Sequence, residues 1–250
     1  VSPTAPRTFD SVFSQLDDVQ GWMSRDQAHR LWARAAGLHA GELVVEIGSF
    51  HGRSMIVLAS SAPAGVALVA IDPHGGNDRG PQEIAGYAAE AHQDFQQFHA
   101  NLEQAGVHER VTHLRSFSSD ALVEVRHPIQ LLYIDGAHRY RPALDDIHRW
   151  GAKVADGGTM LIHDSFSSVG VTLALVSSTF FGSSFRYVGR SGSMTEFRRV
   201  DLTPRERVRN AARQAASLPW FARNVVVKLC IMAKLRPLYR LLGSDGNWPY

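Results

Sequence analysis

Four side chains at the ends of two apolar runs have the types that proton transfer or cation binding requires. Residues 129–134, IQLLYI, end in Asp135, and His138 follows after Gly136 and Ala137. Residues 159–162 end in His163 and Asp164. Asp135 and Asp164 are hard oxygen donors suited to Mg²⁺. His138 or His163 supplies a base that titrates near neutral pH, or a nitrogen ligand that Zn²⁺ or Mn²⁺ also accepts. Such a set can make a nucleophile of a weakly acidic hydroxyl, by removing its proton or by lowering its pKa with a cation. The catalytic set expected is Asp135, His138 and His163; the metal set is Asp135, His163 and Asp164. Structural roles compete with these. Asp164 could cap a helix, Asp135 could serve the turn before Gly136, and His138 could bond a backbone carbonyl.

A second pair of acids stands at two other strand ends. Leu43, Val44 and Val45 read as a short buried strand that Glu46 closes. Gly48 and Gly52 punctuate a turn with Ser49 inside it, and Ser54 opens a helical run. A strand, a glycine turn and a helix start let backbone approach a ligand closely and present free N–H groups. The spacing is E-x-G-x-x-x-G with no P-loop lysine after it, which favours a smaller polar group over a pyrophosphate. Residues 66–71, VALVAI, form a second strand ending in Asp72. That carboxylate lies roughly 20–25 residues beyond the first strand, where Rossmann-like folds place an acid to bind ribose hydroxyls.

The elements that position these groups alternate strand and helix. Ser24 and Gln27 form a capping-box pattern before a helix over 27–36; Trp22, Met23 and Ser24 either staple that helix or touch a ligand. Residues 73–81 are a Gly/Asn-rich loop in which His74 can reach a substrate. A helix follows over 83–105, then a strand over 111–114. Asp120 reads as the cap of a helix over 121–125, with Ser118 in the turn before it. A helix over 142–150 carries Asp145 and Asp146 on a solvated face, with Tyr140 and Arg141 beside its start. Gly157 and Gly158 make a turn before the strand 159–162. A helix over 169–180 and a hairpin, 185–188 with 195–199, complete the core by about residue 200. Parallel strands deliver all the chemistry-bearing residues to one carboxyl edge, where open α/β sheets bind ligands.

Two stretches carry a family resemblance. Residues 43–58 resemble motif I of class I S-adenosylmethionine (SAM)-dependent methyltransferases. The segment YIDGAHRYRPALDDIHRWGAKVADGGTMLIHDSF resembles small O-methyltransferases with a Y-I-D-G-x-H-x-Y pattern, a helix, then G-G and H-D. The resemblance spans residues 21–197 and implies a Rossmann-like, doubly wound, mostly parallel α/β fold. It implies SAM as cofactor, held by Glu46, Gly48, Ser49, Gly52, Ser54, Asp72, Ser118 and Asp135. Relatives include metal-dependent sugar O-methyltransferases of natural-product and polysaccharide biosynthesis, methylmannose polysaccharides among them. Some have two successive aspartates where this chain has His163-Asp164. The function implied is O-methylation of a sugar or glycoside with Mg²⁺ or another divalent cation. Phenolic O-methylation, an iron-dependent hydroxylation and a non-catalytic binding role are the alternatives.

Bulk properties bound the reading. The chain has 250 residues, 44% of them hydrophobic, enough for one sizeable α/β domain. A net charge of +2 gives no global electrostatic case for nucleic acid. A single cysteine, Cys230, leaves no disulfide framework or cysteine-based zinc site. With no apolar core in residues 1–10 and no long apolar run, a cytoplasmic protein without a spanning helix is expected. The expected division is an N-terminal segment (1–20), a methyltransferase domain (21–200) and a basic, helical, amphipathic extension (201–250). Residues 201–243 suit a membrane-surface helix, or an arm that packs on a second copy in a homodimer or covers the site. Trp248 and Tyr250 could stack on a sugar.

Overall fold

The computed structural model describes residues 7–75 and 88–244. The acceptor-loop residues 76–87, the start of the helix expected from 83, and Trp248 and Tyr250 lie outside the described residues. Two helices open the chain, α1 (Phe9–Phe13) and α2 (Arg25–Ala36). The first half of the sheet alternates β1 (Leu43–Ile47), α3 (Arg53–Ser61), β2 (Ala67–Ile71), α4 (Ala88–Gln104) and β3 (Val111–Leu114). The second half is α5 (Ser118–Ala121), β4 (Ile129–Ile134), α6 (Tyr140–Gly151), β5 (Val154–Ile162) and α7 (Val169–Ser178). A hairpin, β6 (Phe185–Ser191) and β7 (Met194–Arg199), precedes α8 (Pro204–Ala215), α9 (Leu218–Met232) and α10 (Arg236–Leu241).

The seven strands lie in the order β3-β2-β1-β4-β5-β7-β6. β1 to β5 run parallel, and the hairpin enters antiparallel through β7. This is the expected Rossmann-like fold. From β1 the chain builds outward to β2 and β3 on one side, then crosses back to β4 on the other. A switch point therefore opens between β1 and β4, where such sheets bind ligands. Register then fixes the site. Ile47 pairs with both Ile71 and Ile134, and Ile134 with Ile162. The next residues, Gly48, Asp72, Asp135 and His163, therefore leave the sheet in one row. Three ladder bonds continue into that row: Gly48 N–H to Ile71 O, Asp135 N–H to Ile47 O and His163 N–H to Ile134 O, at 2.8–2.9 Å.

Strand alternation divides the core in two. Val44, Leu68, Leu131 and Leu161 pack toward α1, α2 and α3, while Val45, Leu132, Ile134 and Met160 pack toward α6 and α7. The capping box at Ser24 and Gln27 forms as expected. Two local expectations are corrected. Gly157 and Gly158 do not form a turn before the strand but bulge within β5, because Ile129 pairs with Val154 while Leu131 pairs with Thr159. A side chain at Gly158 would place its Cβ 2.8 Å from Val154 Cγ1. Asp120 lies inside α5, whose N-cap is Phe117, so it caps nothing.

The C-terminal extension packs on the domain. Buried Asn210 of α8 accepts from Tyr187 N–H at 2.7 Å and donates to Phe185 O at 3.1 Å. Gln214 donates to Thr179 O at 3.0 Å. In α9, Asn224 donates to Phe166 O at 3.3 Å. Against the expectation of no spanning-type segment, residues Pro204–Met232 are long and apolar enough to cross a membrane by length and composition. Their buried amides instead bind the body of the protein.

Candidate active site

A cavity of about 960 Å³ opens at the carboxyl edge over the β1–β4 switch point. One wall is the turn after β1. Gly48 sits at φ +83°, and a Cβ there would lie 2.2 Å from the carbonyl oxygen of Asp135. The two loops thus touch backbone to backbone, which only glycine permits. Gly52, also at φ +83°, is the N-cap of α3. Asp72 braces the same turn: Oδ2 accepts from Ser49 and Phe50 N–H at 2.9 and 2.8 Å, and Oδ1 from His74 N–H at 2.7 Å. A carboxylate has about four lone-pair sites, so capacity remains on Asp72, which borders the cavity.

Of the expected cofactor residues, Gly48, Ser49, Ser54, Asp72, Ser118 and Asp135 border the cavity; Glu46 and Gly52 do not. Glu46 points into the core beneath the turn, in the row of Tyr133. It is completely buried, accepts from Ser54 Oγ at 2.5 Å through Oε1, and has no partner for Oε2. Burial, aided by the charges of Asp135 and Asp72, pushes its carboxyl up to about 8 despite the hydroxyls of Ser54 and Ser49. Through Ser54, Glu46 ties β1 to the first turn of α3 from below the cavity. Ser118 donates to Asp146 Oδ1 at 2.5 Å. Asp146 is buried and borders the cavity, so the expectation of a solvated face fails for it. Burial, opposed by the Ser118 hydrogen bond, raises its carboxyl to about 6.

The second constellation assembles on the facing wall. Asp164 Oδ2 lies 2.5 Å from His138 Nε2 and 3.5 Å from His163 Nδ1, and that nitrogen is 3.2 Å from Asp135 Oδ1. Tyr133 donates to Asp135 Oδ2 at 3.1 Å. Asp164 and Phe166 both hold left-handed backbone, at φ +53° and +58°. Strain of this kind in a non-glycine residue clusters at functional sites. Burial disfavours charge on His138, but Asp164 and Asp135 outweigh it and raise its pKa. The same contest in His163 ends with its pKa well above the ordinary value. Burial would raise the Asp164 carboxyl, yet the two imidazoles hold it far below the ordinary range.

His138 joins the two acids of the expected metal set as a candidate donor. Donor atoms of Asp135, His138 and Asp164 all lie within 4.8 Å of one another. His163 leaves the sheet in the row itself and is only 2% exposed at its side chain, whereas His138, on the loop above, is 36% exposed. The open side of the cluster therefore belongs to His138. Asp164 Oδ1 is buried without a partner, and His138 Nε2, though close to Asp164, lacks hydrogen-bond alignment. Convergent oxygen and nitrogen donors, with one buried carboxylate oxygen lacking a partner, fit a divalent cation.

Trp22 and Met23 border one side of the cavity, which agrees with the ligand-contact alternative for that segment. Four residues of α9 that were not anticipated, Val225, Lys228, Leu229 and Met232, close another. The signal was present for them, because the four positions fall at i, i+3, i+4 and i+7 on one helical face. Lys228 donates to Ser167 O at 2.9 Å, and burial lowers its pKa against the pull of Asp164. His74 borders the cavity too, largely buried, with Nε2 2.9 Å from Phe50 O. Tyr140 bonds Ser177 at 3.0 Å and, like Arg141, stays off the cavity wall.

Residues 45–165 match a family model described as a methyltransferase domain. Among solved structures, cofactor-bound Rv0187 from MTB is 17% identical over 78% of this chain and 88% of that chain, with a TM-score of 0.55. The O-methyltransferase NovP is 16% identical over 71% and 81%, also with a TM-score of 0.55. The O-methyltransferase TomG from Streptomyces achromogenes, in complex with SAM, is 17% identical over 80% and 92%, with a TM-score of 0.50. The fold is therefore the Rossmann-like fold of these structural neighbours, and the stretch over residues 45–165 is similar to a methyltransferase domain.

Proposed function

We propose that the protein transfers a methyl group from SAM to a hydroxyl of a small acceptor, a sugar or glycoside, with help from a divalent cation. One observation carries the reading: the Asp135, His138 and Asp164 donors converge within 4.8 Å in the same cavity as Asp72 and the glycine turn. TomG, on the same fold, is an O-methyltransferase in complex with SAM. The residues present suit the cofactor. Asp72 has acceptor capacity for ribose hydroxyls, and the Gly48 turn is a cradle that a side chain would fill.

SAM supplies an electrophilic methyl on a sulfonium, and a cation supplies a lower pKa for a bound hydroxyl. The chain's residues do the rest. Asp135 and Asp164 hold the cation and align the acceptor oxygen. With SAM held by Asp72 and the Gly48 turn, that oxygen would receive the methyl carbon, and the demethylated cofactor would be left as a neutral thioether. His138, on the open side of the cluster, takes the hydroxyl proton. His163, buried behind, keeps Asp135 and Asp164 paired and oriented.

The test is transfer of labelled methyl from SAM to a panel of mannosides, glucosides and catechols, with EDTA and then with Mg²⁺ restored. Labelled glycoside that disappears with EDTA and returns with Mg²⁺ is expected. Label on catechols alone would reassign the acceptor, and full activity in EDTA would remove the cation from the account.

A further inference from the structure

From residue 226 to residue 241, every third position carries an exposed apolar side chain: Val226, Leu229, Met232, Leu235, Leu238 and Leu241, between 45% and 84% exposed. α9 and α10 therefore show a continuous apolar ridge to the outside, while Asn224, Val227 and Cys230 anchor α9 to the body. Isolated exposed leucines are ordinary, but a contiguous ridge marks an interaction surface. The charge around it has one sign. From Arg207 to Ser244 the chain holds eight Lys and Arg residues and no Asp or Glu. Lys234, Arg236 and Arg240 are exposed beside the ridge. The ridge also reaches the cavity, because Leu229 and Met232 border it.

We propose that α9 and α10 dock the protein on an anionic lipid bilayer, with the ridge in the interfacial layer and the cations among the headgroups. Apolar side chains flanked by cations are the signature of a helix lying in that plane. A second copy of this chain is a poorer occupant. A two-fold contact through the face would set its cations against the same cations with no acid to answer them. A spanning arrangement is disfavoured by the buried amides of α8 and α9, which bond the body. With Leu229 and Met232 shared between ridge and cavity, the docked bilayer lies at the cavity's edge.

The experiment is co-flotation of the full chain with vesicles of neutral phosphatidylcholine and with vesicles containing 30 mol% phosphatidylglycerol. Flotation with the anionic vesicles only, weakened at 0.5 M salt, is expected. Replacing Lys234, Arg236 and Arg240 together by Gln should cut vesicle affinity roughly 100-fold, since each cation near the surface contributes about fivefold. Leu238→Ser with Leu241→Ser should also abolish flotation. All five side chains are exposed and lie off the cavity wall, so unchanged SAM affinity and melting temperature will show that the fold is intact. Absence of flotation with anionic vesicles at physiological salt would overturn the proposal. So would equal flotation with neutral vesicles, or a dimer in light scattering that the Leu238→Ser/Leu241→Ser variant dissolves. None of these readouts uses methyl transfer, so the outcome is independent of the acceptor assigned above.

Discussion

Glu46→Gln should stabilise the protein without cofactor, and the gain should grow with pH. The Glu46 carboxyl has an ordinary value of 4.5 and is pushed to about 8 in the fold. The folded state therefore keeps a proton that the unfolded state releases. For an acid with a raised pKa, stability is fully present below the unfolded value and falls as pH rises toward the folded value. At pH 7 the deficit is about 3 kcal/mol, and it levels off near 5 kcal/mol above pH 8. Glutamine has the shape and charge of the protonated acid and leaves a similar unpaired donor where Oε2 has no partner. It should remove the deficit at every pH. Denaturation of wild type and variant at pH 5, 7 and 8 measures the difference. Other titrating groups, His163 among them, cancel in that difference. A gap within about 1 kcal/mol at pH 5 should widen to about 3 kcal/mol at pH 7, or roughly 6–12 °C in Tm. A variant less stable than wild type at pH 7, or a gap that ignores pH, would refute the buried, neutral Glu46.

Three further perturbations separate the parts of the site. Gly48→Ala should cost about 2–5 kcal/mol, from a left-handed backbone and a Cβ 2.2 Å from Asp135 O, and should lower both melting temperature and SAM affinity; an unperturbed Tm contradicts the backbone contact. Asp72→Ala should weaken SAM binding more than tenfold in calorimetry, and unchanged affinity sinks the ribose assignment. Asp164→Ala should abolish turnover while SAM affinity stays largely intact; a collapse of SAM affinity would make Asp164 a cofactor or structural residue.

How much of this was readable beforehand depended on the range of the interactions. The row Gly48, Asp72, Asp135 and His163 was legible because strand ends and acids are local signals, and parallel register aligns them without further information. The capping box at Ser24 was equally local. The depth of Glu46 was not legible, because period-two alternation says which side a residue takes but not how deep it lies. Asp146 looked solvated because its partner, Ser118, lies 28 residues away. That His138 is more open than His163 rests on which side of the sheet edge stays open, and only the folded loops decide that. Gly157-Gly158 reads as a turn in any short window; its place within β5 comes from pairing with β4.

The central claim is that one cavity holds both the cofactor and a cation-assisted acceptor, and calorimetric titration tests it most directly. The protein is titrated with SAM and with its demethylated product, then with mannosides in EDTA and in Mg²⁺. Cofactor binding in either condition, with acceptor heat only when Mg²⁺ is present, is the predicted result. Acceptor heat that is the same in EDTA would contradict the role of Asp135 and Asp164 as a cation site, and absence of cofactor binding would contradict the account as a whole.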